Sequence, residues 1–153
     1  MKLNILWVGK TQEEWVRQGI SEYAGRISKY IPVEISEAKE EKGTTAAIMR
    51  EREGERLSSL LSKNARLVLM DEKGEQTTSS ELARFLAFNR DGGIRELAFA
   101  IGGAYGFSET FRAKAFKTVA LSRMTFTHQM VRIFLLEQIY RGLTILNNEP
   151  YHH

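Results

Sequence analysis

The chain has 153 residues, 42% hydrophobic and 27% charged, which fits one globular domain of the soluble kind with a core of useful size, and it has no cysteine, which excludes disulfides and thiolate metal sites. Two prolines and no low-complexity stretch leave no linker, and the N-terminus lacks the basic segment and long apolar run of a signal peptide, so the cytoplasm is the expected location. The net charge of +3 is unevenly placed: residues 112–153 hold six Lys/Arg against two acids, a surplus that suits a polyanion such as RNA, although solvated surfaces also carry blocks this mild.

Lys2 to Val8 is rich in Leu, Ile, Trp and Val and reads as a strand covered on both faces. Thr11-Gln12-Glu13-Glu14 matches a capping box, and Val16, Ile20, Tyr23, Ile27 and Tyr30 recur at helical spacing up to a stop at Pro32. Val33 to Ile35 is a short second strand, followed by a charged, mobile loop from Glu37 to Gly43. Thr44 or Thr45 caps a second helix with Ile48, Leu57, Leu60 and Leu61 near one face, and its Arg50-Glu51-Arg52-Glu53 reads as an exposed charged surface. Arg66 to Met70 is the third strand, and Asp71-Glu72-Lys73-Gly74 turns the chain. Ser79 or Ser80 caps a third helix that ends at Gly92-Gly93.

Strand four, Leu97 to Ile101, breaks into Gly102, Gly103 and Gly106, residues that let backbone turn sharply and approach a ligand. A short helix near Glu109 to Ala115 leads to strand five, Thr118 to Leu121. The last helix, His128 to Leu146, is apolar nearly all round, and Arg132, Glu137 and Arg141 interrupt it too often for a membrane span. Strands alternating with helices give an α/β fold with a largely parallel sheet, whose ligands bind outside the carboxyl ends of the strands. The glycines lack the G-x-G-x-x-G order and no phosphate-binding loop is present, so on their own they are also compatible with a plain strand-to-helix turn.

Ile-Gly-Gly-Ala-Tyr-Gly, Leu-Ser-Arg-Met-Thr-Phe-Thr-His-Gln-Met-Val-Arg, Leu-Leu-Glu-Gln-Ile-Tyr-Arg and the terminal Glu-Pro-Tyr-His, in that order, closely resemble the pseudouridine N3-methyltransferases of large-subunit ribosomal RNA within the SPOUT family. The likeness runs the length of the chain. Thr127 departs from it, standing where the pattern has proline and loosening the turn into the last helix. The resemblance implies a three-layer fold with a C-terminal trefoil knot, a homodimer packed through the knot, and methyl transfer from S-adenosylmethionine without a metal. The implied substrate is 23S ribosomal RNA within the assembled 70S ribosome.

Carried over by position, Met70, Gly103, Leu121, Ser122, Arg123, Met124, Thr125 and Phe126 would line the cofactor pocket. Arg132, Tyr151 and His152 would face the acceptor base, the tail of one subunit completing the pocket of the other. Such a transfer needs alignment of donor and acceptor and a destination for the N3 proton, which a histidine or a cationic surrounding supplies. His128 is either a polar residue at a helix start or a shaper of the site. Two other classes remain open: a non-enzymatic ribosome-binding protein, and an α/β enzyme with a nucleotide cofactor.

Overall fold

Strand β1 (Lys2–Val8) shows why a sheet covered on both sides forms here. Leu3, Ile5 and Trp7 enter one core and Leu6 and Val8 a second, separate one, the two-residue alternation of a strand with no polar face. In the computed structural model, which describes residues 1–153, β1 is followed by α1 (Glu14–Ile27), β2 (Val33–Ala38), α2 (Ala46–Ser59), β3 (Arg66–Gln76), α3 (Ser79–Asp91), β4 (Glu96–Ile101), α4 (Glu109–Arg112), β5 (Lys117–Ala120) and α5 (His128–Leu146). The five strands are all parallel, in the order β2-β1-β4-β3-β5, with Ile5 opposite Ile35 and Phe99, and Phe99 opposite Val68. Helices α1, α3 and α5 pack on the face of Leu3 and Phe99, and α2 and α4 on the face of Leu6 and Ala98, giving three layers.

Helix α5 has apolar residues around most of its circumference because it lies between α1 and α3 as well as over the sheet. Leu135, Leu136, Ile139 and Leu143 are buried in that cleft, while Met130, Ile133 and Phe134 stay partly exposed. No helix is long and apolar enough to cross a membrane.

Several local expectations are corrected. Thr11 does not cap α1; it is buried and accepts a hydrogen bond from Arg132, and the helix starts after Glu13 with no side-chain cap. That helix ends at Ile27, before Pro32. Thr78, one residue before the serines, caps α3 in a true capping box with Glu81. Thr127 caps α5, its hydroxyl accepting from the Met130 N–H at 3.2 Å, so the departure from proline supplies a cap instead of loosening the turn. Strand β3 does not end at Met70. Residues 71–74 loop out and the strand resumes, with Met70 and Glu75 both paired to Val119. Gly74 makes that return possible, because a Cβ there would lie 2.8 Å from the β5 backbone.

Candidate functional site

The excursion within β3 and the loops at the carboxyl ends of β4 and β5 meet around one cavity of about 370 Å³. The first is the excursion 71–74 of β3. The Asp71 carboxylate receives the Lys73 N–H at 2.9 Å and the Arg112 guanidinium at 2.6 Å. Burial pushes the Asp71 pKa up, but these two donors outweigh it and hold the carboxyl below its ordinary value, so it stays ionised. Arg112 in turn lies 5.6 Å from the Phe107 ring. The excursion of β3 is thereby tied to α4, and the cavity wall is fixed by a charge pair instead of by packing alone.

The second loop is the glycine turn after β4. Gly106 donates to the Gly103 carbonyl at 3.0 Å and adopts φ +79°, a conformation that favours glycine. Gly103 needs its hydrogen for a different reason. A Cβ there would sit 2.8 Å from Glu53 Oε1 and 3.3 Å from Val8 Cγ1, so the side facing away from the cavity is the crowded one. Glu53 belongs to the Arg50–Glu53 run read as an exposed charged surface, and that reading is wrong for this residue: it is 5% exposed. Met49 and Leu57, four residues either side, are buried too, so helical periodicity places Glu53 on the core face. Its Oε2 accepts the Glu41 N–H at 3.1 Å, while Oε1 has no partner, and burial raises its pKa.

The third loop is 121–126. Ser122 Oγ accepts the Met124 N–H at 3.0 Å, closing a tight turn, and the Thr125 hydroxyl donates to Glu72 across the cavity mouth. Phe126 meets Phe134 edge to face at 5.0 Å, seating the loop on α5. His128, the first residue of α5, is at the rim, with Val131 one turn on. Partial desolvation and the charge of Arg132 lower the His128 pKa, which keeps the imidazole neutral near pH 7.

Arg132 is 1% exposed. Its guanidinium donates to the Val8 carbonyl and the Thr11 hydroxyl, both at 2.9 Å, and lies 4.7 Å from the Trp7 ring, leaving Nε–H without a partner. It is not part of the cavity wall, in contrast to the expectation that it faces an acceptor; it ties α5 to the end of β1. Gln129 adds to the tie, accepting the Gln12 N–H at 3.1 Å.

The tail also lies elsewhere. Asn148, at φ 55°, turns the chain back along α5, where the Tyr151 hydroxyl donates to Glu137 at 3.1 Å, its ring meets Tyr140 at 4.7 Å and Arg141 covers it at 4.8 Å. His152 is exposed, with Nδ1 3.4 Å from Arg141. Glu137 is two and a half turns, or about 14 Å, along α5 from His128, so Tyr151 and His152 do not reach the cavity of their own chain. Glu137 and Arg141 pair at 2.6 Å and act as the tail's clasp.

Of the expected pocket residues, Met70, Gly103, Leu121, Ser122, Met124, Thr125 and Phe126 line the cavity, and Arg123 is exposed outside it. Asp71, Arg112, Tyr105 and Val131 line it unforeseen. The Asp71–Arg112 pair joins residues far apart in the chain and has no local signature. No group of three or more His, Asp and Glu side chains is placed to hold a metal ion.

The family described as "Predicted SPOUT methyltransferase" matches residues 1–152. The chain is 74% identical to the ribosomal RNA large subunit methyltransferase H of Geotalea uraniireducens, 72% to that of Geotalea daltonii and 63% to that of Geobacter sulfurreducens, each over the whole of both chains. Among solved structures, the SpoU methyltransferase AviRb from Streptomyces viridochromogenes, in complex with AdoMet, overlays at a TM-score of 0.46 and 13% identity, covering 90% of this chain and 56% of that one, a likeness too loose to add weight. With full-length identity of this order and a family match from end to end, the chain belongs to the SPOUT methyltransferase family.

Proposed function

We propose that the protein transfers a methyl group from S-adenosylmethionine to N3 of a pseudouridine in large-subunit ribosomal RNA, acting as a homodimer on the assembled 70S ribosome. The observation that carries the reading is the full-length identity of 74% to a protein named ribosomal RNA large subunit methyltransferase H. The cavity supports it. Its apolar residues Met70, Ile101, Leu121 and Val131 offer a slot for a flat heterocycle, and the backbone of Gly102, Gly103 and the 121–126 turn offers the polar edge. The resemblance also implies that the last part of the chain is threaded into a trefoil knot.

The sulfonium activates the methyl carbon, so the protein aligns the acceptor nitrogen in line with it and handles one proton. His128 is neutral at the rim and able to accept that proton. Arg132, buried behind it and close enough for its charge to act on His128, adds positive potential at the acceptor end without touching it. Tyr151 and His152 serve the acceptor end of the partner's cavity, which explains why they do not reach their own. The partly exposed Met130, Ile133 and Phe134 of α5 supply apolar surface for the dimer.

The test is incubation of the purified protein with tritiated S-adenosylmethionine and either 70S ribosomes, free large subunits or protein-free 23S RNA, all from a strain lacking the modification, followed by nucleoside mass spectrometry. Label in N3-methylpseudouridine, greatest with 70S ribosomes, is the expected result. Label absent from all three, with calorimetric binding of S-adenosylmethionine intact, would overturn the substrate and leave the cofactor.

A further inference from the structure

At the opposite end of the sheet from the cavity, the surface carries an assembly that methyl transfer does not use. Phe88 on α3 is 62% exposed and Phe116, at the entry to β5, is 54% exposed. Arg66, the first residue of β3, lies between them, its guanidinium carbon 4.2 Å from the Phe116 ring centre and 5.9 Å from that of Phe88. Phe85 runs nearly parallel to Phe116 at 6.3 Å and 20°, with Lys117 Nζ 5.3 Å from its ring centre.

The guanidinium is held in place. Arg66 Nη1 donates to Asn89 Oδ1 at 2.8 Å, and Asn89 is fully buried, its own amide donating to the Phe85 carbonyl at 2.7 Å. A buried amide thus fixes a surface arginine over one exposed ring and beside another. Preorganisation of this kind raises affinity for a flat partner, since little side-chain freedom remains to be lost on binding. Arg84, one turn before Phe88, is exposed as well. The one acid in contact is Glu75, 3.7 Å from Lys117 and itself largely exposed.

The chemistry selects the occupant. A second copy of the same patch would bring Arg66, Arg84 and Lys117 against their own equivalents, and an apolar peptide would have to desolvate them. An unpaired nucleotide offers a flat π face for the rings and the guanidinium, and a phosphate for the cations. We propose that Phe88, Phe116 and Arg66 form a stacking platform for unpaired RNA nucleotides, about four strand residues, or about 13 Å, from the methyl-transfer cavity. The proposal rests on the reading that the substrate is RNA, and gives that RNA a second contact outside the reacting base.

The experiment is fluorescence anisotropy with a labelled single-stranded RNA of about 12 nucleotides and with the same sequence as a duplex. Phe88→Ala/Phe116→Ala and Arg66→Gln should weaken single-strand binding by about 10-fold or more, while Phe88→Trp should preserve or strengthen it. Calorimetric affinity for S-adenosylmethionine should stay at the wild-type value in every variant, while the unfolding midpoints drop modestly, because Arg66→Gln removes the donor to the buried Asn89 oxygen and Phe116→Ala removes a ring stacked on Phe85. Wild-type RNA affinity in the double variant would overturn the platform. Equal loss for duplex and single strand would reduce it to charge, a drop to monomer in sedimentation would assign it to a second copy, and a defect seen with large subunits but not with the single strand would assign it to a ribosomal protein; each refutes the proposal. Ribosome methylation, measured in parallel, separates the two readings. Full methyl transfer with unchanged RNA affinity sinks the platform alone, whereas platform-dependent RNA binding without methylation of any ribosomal particle sinks the methyl-transfer reading alone.

Discussion

Gly103→Ala tests the back wall of the cavity. The added Cβ would lie 2.8 Å from Glu53 Oε1 and 3.3 Å from Val8 Cγ1, several tenths of an ångström inside ordinary contact. Glu53 cannot swing clear easily, because it is 5% exposed and its Oε2 is tied to the Glu41 N–H. Overpacking of this kind costs about 1–3 kcal/mol. The strain pushes the glycine turn toward the cavity, so affinity for S-adenosylmethionine should fall by about 10-fold, the equivalent of about 1.4 kcal/mol. Glu53→Ala alone removes one hydrogen bond together with an unpartnered buried oxygen, two effects that partly offset, for a net loss of about 1 kcal/mol. In Gly103→Ala/Glu53→Ala the obstruction is gone, and the double variant should be little less stable than Glu53→Ala, a coupling of about 1–2 kcal/mol. Urea unfolding and calorimetric titration on all four proteins measure both quantities. Additivity within about 0.5 kcal/mol would refute the argument. So would loss of cofactor affinity at full stability, because the Cβ would then be entering the cavity itself.

Three further outcomes are expected. Arg132→Ala leaves the Val8 carbonyl and Thr11 hydroxyl without their donor inside the core, and should lower stability by about 3 kcal/mol or more in urea unfolding; unchanged stability with methyl transfer abolished would place Arg132 at the acceptor instead. Burial raises the Glu53 pKa above its ordinary 4.5, so the wild-type contribution is fully present below that value and is lost as pH rises through the folded one; melting curves should show Glu53→Gln gaining on wild type from about pH 4.5 upward, and a pH-independent difference would dismiss the shift. Deleting residues 151–153 removes a ring packed on Tyr140 and a hydrogen bond to Glu137, and should leave S-adenosylmethionine affinity intact while slowing methyl transfer by roughly 100-fold; transfer at the full rate would make the tail a structural clasp only.

The sequence by itself determined the alternation of five strands and five helices, because apolar runs and helical periodicities are properties of neighbouring residues. It also carried most of the cavity: Gly103 and the 121–126 turn follow the ends of β4 and β5, Met70 is the last residue before the break in β3, and in a parallel sheet such positions converge. Even the misplaced Glu53 was legible, since Met49 and Leu57 bracket it at helical spacing inside a run whose charges drew the reading outward. Only the tertiary structure decided the rest. The return of β3 to the sheet at Glu75 depends on Gly74 meeting the β5 backbone, a contact between residues more than forty positions apart. The Asp71–Arg112 pair and the burial of Arg132 against Val8 and Thr11 are of the same kind, and the folding of Tyr151 back onto Glu137, though only 14 residues apart, depends likewise on a reversal of the chain at Asn148. A side chain's type sets what it can bond, but which partner it meets is set by how distant segments cross, and a local pattern holds no record of that crossing.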